Sequence, residues 1–134
     1  MNFNMENRVK DAKREELYAK YSSTIKKSDM HLDELHTKNL DIEKGLDEIH
    51  SFQQNIKYML EHYKDELARH DSHEELDLFN MIEDEIQSNC RSTEYALLDA
   101  KDELERKRKQ IFRDREDMEY EYKRALYALS ENGH

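Results

Sequence analysis

Apolar residues recur along this chain at alternating steps of three and four, and that rhythm limits what the chain can fold into. From Ile25 the steps reach Ser28, Leu32, Leu35, Asn39, Ile42, Leu46, Ile49, Gln53, Ile56, Leu60, Tyr63 and Leu67. Ten of these thirteen positions are apolar, where a composition of 36% hydrophobic residues would place about five, so a helical seam with a seven-residue repeat accounts for the excess. Tyr18 and Tyr21 extend the series backwards. A second series runs Ile86, Cys90, Thr93, Leu97, Ala100, Leu104, Lys107, Ile111, Asp114, Met118, Glu121 and Ala125, with Leu76, Phe79 and Ile82 leading into it. Nothing interrupts either series: the chain of 134 residues has no Pro and two Gly, one of which, Gly45, costs a helix up to about 1 kcal/mol without breaking it.

Between the series, at Ala68 to Glu75, the periodicity stops, and Ser72 stands three residues before Glu75. That spacing is a capping box, in which the Ser hydroxyl accepts from the third helical N–H and the Glu reaches back, so a helix should begin there. The reading is therefore all-α: a long antiparallel, coiled-coil-like hairpin forming a single domain over 1–134. Helix one is expected over about 14–68, the turn at about 69–73 within a break near 68–74, and helix two over about 74–130. Two helices of ~50 residues would each be ~75 Å long. The first dozen residues are expected to form a separate short helix or to fray.

Folding the chain about Asp71 places residue i near residue 142 minus i, give or take a turn. Ser28 then falls near Asp114, Leu35 near Lys107 and Asn39 near Glu103, so polar seam residues gather in the half nearer the termini, which should be weakly held. Toward the turn the balance reverses. Phe52 and Met59 add a second apolar row beside Ile49, Ile56, Leu60 and Tyr63, and helix two contributes Leu76, Leu78, Phe79, Met81 and Ile82, then Tyr95 and Leu98 beside Leu97. Two facing helices need one narrow stripe each, so the surplus implies a covering helix from a partner or from a second copy. Phe52, Met59, Leu78, Met81 and Leu98 are the expected lining of that groove. The plainer alternative is that these residues wrap the edge of the hairpin.

The net charge of -10 is unevenly spread. Residues 28–105 hold seven Lys or Arg against 22 Asp or Glu, while both ends are mildly basic. An acidic bulk argues against nucleic acid, whose phosphates need a basic face, and the run Arg106-Lys107-Arg108-Lys109 reads as a solvated helix face. Without 18 consecutive apolar residues, and with an opening MNFNMENRVK that lacks the apolar core of a Sec-type signal, the expectation is a cytoplasmic chain with no membrane span. Cys90, alone in the sequence, falls in the apolar series and reads as a small core residue.

Seven histidines prompt a search for metal ligands, but Glu-x-x-His is not repeated, standing only at Glu131/His134, and no His-x-x-x-His occurs. The pairs Asp33/His36 and Asp47/His50 have helical spacing of a kind that a chain with 32 acids produces by chance. No Gly-rich phosphate loop or nucleophile–base constellation is found, so no cofactor, no metal and no enzymatic activity is expected.

The stretch Leu97–Leu129, LLDAKDELERKRKQIFRDREDMEYEYKRALYAL, carries the Glu-Leu-x-Arg/Lys pattern at Glu103–Arg106 and an Asp-Met-x-Tyr-x-Tyr-x-Arg ending. It resembles the charged closing helix of small helical proteins encoded beside LXG-domain toxins of bacterial type VII (ESX-like) secretion. The stretch is a quarter of the chain; the remainder matches in length and layout. The Trp-x-Gly turn motif of the small ESX proteins is absent, which favours the divergent accessory partners. The resemblance implies a targeting adaptor or chaperone that binds the helical N-terminal domain of an LXG toxin, together with a second small helical protein, and that is cytoplasmic or co-secreted with its partner. Substrates of that system carry a Tyr-x-x-x-Asp/Glu export signal near the end of the second helix. Tyr127 with Glu131 fits it in position; Tyr95 with Asp99 fits the spacing mid-helix. The rival class is a structural coiled coil that pairs with itself, as a homodimer or end to end.

Overall fold

A computed structural model describes residues 2–70 and 72–131, with side chains from Met5 onward. Two helices account for almost all of them: α1, Asn2–Arg69, and α2, His73–Glu131, packed against each other as a hairpin. The expected all-α hairpin is what forms. The separate or frayed first dozen residues are not found, because α1 is continuous from Asn2. That segment holds no Gly or Pro to break the helix, and Asp11 pairs with Arg14 at 3.1 Å one turn on.

The turn is held by backbone bonds. The N–H groups of His70 and Ser72 both donate to the Leu67 carbonyl, at 3.2 Å each, and the Ser72 bond spans five residues as in a Schellman C-cap. The Ser72 carbonyl accepts from Leu76 N–H at 3.0 Å, which makes Ser72 the N-cap of α2, as the Ser72/Glu75 spacing predicts. Glu74 and Glu75 occupy the first turn of α2, and Arg69 the last turn of α1, each of the sign that the helix dipole favours. Asp71, the residue about which the sequence pairing is centred, lies outside the described residues.

By internal packing the chain divides into two compact units. The turn unit is Lys38–Leu104, and the end unit is Met1–Thr37 with Glu105–His134. In the turn unit, Ile42, Leu46, Ile49, Gln53, Ile56 and Leu60 form the inner stripe of α1, facing Leu76, Phe79, Ile86, Cys90, Leu97 and Leu104. Leu60 and Cys90 are buried and the rest half-buried, so Cys90 has the core position expected of it. Leu97 lies against Gly45, its Cδ1 3.4 Å from where a Cβ on that glycine would stand. Tyr63 is more exposed than the seam predicts, its ring 5.8 Å from that of Phe79 and tilted by 32°.

In the end unit, Leu17, Tyr21, Ile25, Leu32 and Leu35 face Ile111, Met118, Tyr122, Ala125 and Leu129. Leu17 takes the inner place expected of Tyr18, which is exposed. Tyr21 and Tyr122 stack with centroids 4.5 Å apart and planes 3° from parallel. Ser28 is buried, and its hydroxyl has no hydrogen-bond partner.

The inner stripe of α2 departs from the expected series in a regular way. Cys90, Leu97, Leu104, Ile111, Met118 and Ala125 keep their places. Thr93, Ala100, Asp114 and Glu121 are exposed, and the next residues, Glu94, Lys101, Arg115 and Tyr122, are half-buried in their stead. The cause is the reach of long side chains: the bodies of Glu94, Lys101 and Arg115 cover the seam while their charged ends meet groups on α1, and Tyr122 stacks its ring on Tyr21. Lys107 is exposed, and lines an open recess with Leu35 as the pairing rule expects.

Candidate interaction surface

The substituted positions of α2 build one edge of the turn unit. Lys64 pairs with Glu83, Lys101 Nζ lies 3.6 Å from Glu43, and His50 Nε2 lies 3.9 Å from Glu94, the last an ion pair only when the imidazole is protonated. On α1 these partners, Glu43, His50 and Lys64, fall on a seven-residue spacing and so share one side of the seam. The end unit repeats the device: Arg115 donates to Asp29 at 2.8 Å.

Cross-helix pairs define one edge, so residues on the other side of each stripe share the opposite edge. Two residues along an α-helix turn through about 200°. Phe52, two beyond His50, and Met59, five before Lys64, thus face away from the ion pairs, in a row with Gly45 seven residues before Phe52. On α2, Ile82 and Leu78 precede Glu83 by one and five residues, about 100° and 140° back toward the same side. Leu98 stands four after Glu94 and three before Lys101, on the charged edge. Met81, two before Glu83, points outward.

All five of the expected partner residues are exposed, Phe52 by 49%, Met59 by 51%, Leu78 by 57%, Met81 by 69% and Leu98 by 39%. Geometry gathers three of them, Phe52, Met59 and Leu78, on one edge, and sets Met81 and Leu98 elsewhere. Tyr63 and Ile82, which by spacing belong to the seam and its approach, complete that edge as exposed apolar residues. The missing signal was the ion-pair side: without knowing which edge carries the charges, the second apolar row has no assigned direction. Burying the exposed half of such a side chain is worth about 1 kcal/mol, so five together can hold a partner helix.

Tyr127 and Glu131 lie on the last described turn of α2, where the tyrosine hydroxyl donates to Glu131 Oε1 at 2.8 Å. This bond, with a smaller effect of desolvation, raises the phenol above its ordinary pKa. Tyr95, the other tyrosine with the spacing, is exposed in mid-helix.

Other features are plainer. The Arg106 to Lys109 run is exposed, with Arg108 3.6 Å from Glu105 and its guanidinium 5.3 Å from the centroid of Phe112. An open recess beside the tyrosine stack is lined by Leu17, Lys20, Thr24, Met118, Glu121 and Ala125. Among the described residues no three His, Cys, Asp or Glu gather where a metal could sit, and no helix is long and apolar enough to cross a membrane. No family model, curated protein or solved structure matches the chain.

Proposed function

We propose that this chain is a non-enzymatic targeting adaptor that binds the helical N-terminal domain of an LXG toxin, with a second small helical protein, for delivery to type VII secretion. The observation that carries the reading is the uncovered apolar edge of Phe52, Met59, Tyr63, Leu78 and Ile82, five exposed apolar residues on one side of the seam. An edge of this kind offers association and no bond-making chemistry, and helix on helix is the geometry that fits it. The resemblance of Leu97–Leu129 to the closing helix of LXG-toxin partners supplies the class of partner. The adaptor works in the cytoplasm, and Tyr127 with Glu131 serves as the export signal if the chain leaves with its cargo.

The test is co-expression with an LXG domain and affinity capture. Phe52→Asp with Met59→Asp should abolish capture while helicity by circular dichroism is kept. Capture that survives both substitutions would remove this edge from the reading. Tyr127→Ala should stop any appearance of the complex in the medium without affecting capture.

A second reading rests on the division of charge. The turn unit holds seven Lys or Arg against 18 Asp or Glu, the end unit 15 against 14, so unlike regions of two copies attract. A self-pairing scaffold of that kind would show in light scattering as a stable dimer or polymer indifferent to any toxin domain.

A further inference from the structure

Taking the apolar edge as the partner site, as above, we propose that its occupant is a basic amphipathic helix, with apolar residues facing Phe52, Met59, Leu78 and Ile82 and Lys or Arg along its flanks. The argument is charge placement. Glu48 precedes Phe52 by one turn, with Asp41 two turns before it, and Glu66 continues the Phe52–Met59 row at the same seven-residue step. Across the seam, Glu85 follows Leu78 by seven residues. All four acids are exposed. Lys38 begins the Phe52–Met59 row and Arg69 ends the row of Asp41, Glu48, Asn55 and His62, so the cations of this edge stand at its two ends, and between Gly45 and Glu66 neither row carries Lys or Arg. The cations Lys64 and Lys101 lie on the other edge, where each pairs with an acid of the facing helix. The turn unit thus offers an apolar strip lined by carboxylates, with 18 acids against seven bases overall. An acidic helix laid there would meet like charge on both sides, whereas a basic one finds opposite charge on both.

The experiment uses the full chain and two synthetic helical peptides of four heptads, identical in their Leu seam and differing only in flanks of Lys or of Glu, read by fluorescence anisotropy. The Lys-flanked peptide should bind at least tenfold more tightly, and raising salt from 50 to 500 mM should erase most of the difference. Phe52→Asp with Met59→Asp should weaken it roughly thirtyfold or more, and Glu48→Lys with Glu85→Lys, which spares the apolar strip, should invert the preference; Leu98→Asp, on the charged edge, should change little. Equal binding of both peptides, or loss on Leu98→Asp in place of the Phe52/Met59 pair, overturns the proposal. So does a concentration-dependent dimer that the Phe52/Met59 pair dissolves and that excludes the peptide, since the occupant is then a second copy. The two readings fail separately. Capture of an LXG domain with no peptide preference removes the charge inference alone, and a clear peptide preference with no LXG capture removes the adaptor reading alone.

Discussion

At the scale of single residues, Gly45 and Tyr127 each trade one local preference against another. Glycine in a helix interior costs about 1 kcal/mol relative to alanine, and Leu97 Cδ1 lies 3.4 Å from the position a Cβ would take. That distance is ordinary contact with the end of a flexible side chain, so Gly45→Ala should raise stability by about 0.5–1 kcal/mol, measured by urea unfolding followed by circular dichroism. Tyr127 is tied to pH instead. Its hydroxyl donates to Glu131, a bond that only the neutral phenol can make, which is why its pKa is raised. The contribution is therefore present below the ordinary tyrosine pKa and fades as pH rises through the higher folded value. The difference titration of wild type against Tyr127→Phe, followed at the phenolate absorbance, should show a late-titrating tyrosine that Glu131→Gln shifts back toward the ordinary range.

At the scale of elements, the hairpin has one edge closed by ion pairs and one left apolar, and this division explains what was legible in advance. The break at Ser72 and the inner stripe of α1, apart from Tyr18 and Tyr63, follow from spacing alone, because caps and seven-residue steps are local. Four of the twelve expected positions of α2, Thr93, Ala100, Asp114 and Glu121, give way to the next residue, because the pattern favours whichever neighbour is smaller or better spaced. The structure instead admits the residue whose long body covers the seam and whose charge or ring meets α1, a choice that depends on the facing helix. The same gap scattered the candidate site: Phe52, Met59 and Leu78 share an edge, while Met81 and Leu98 were grouped with them on apolarity alone. If the charged edge is cohesive, its most covered pair should show it. Lys64 and Glu83 have side chains 27% and 17% exposed, against 47% and 67% for Arg14 and Asp11. A double-mutant cycle should give a coupling of about 1 kcal/mol for Lys64/Glu83 and under about 0.5 kcal/mol for Arg14/Asp11. Equal couplings would mean that burial along this edge adds nothing to the pairing.

At the scale of the whole molecule, the chain is short of interior. Among the described residues three are buried, Leu60, Cys90 and Ser28, and one of these carries a hydroxyl with no partner. Helices depend on packing for most of their stability, so a hairpin with so little enclosed surface should be marginal alone, unfolding in a broad transition. Five of its exposed apolar residues, Phe52, Met59, Tyr63, Leu78 and Ile82, share a face that nothing within the turn unit covers, and a ligand on that face adds both buried area and the free energy of mass action. A partner present at a hundred times its dissociation constant stabilises the folded state by about 2.7 kcal/mol. Thermal melts of the chain with increasing LXG domain should therefore move upward logarithmically with domain concentration. The Phe52→Asp and Met59→Asp chain should melt near the wild-type temperature alone and not respond to the domain. A melting temperature that rises instead with the concentration of the chain itself, and ignores the domain, assigns the stabilising partner to a second copy and makes self-pairing the function of the edge.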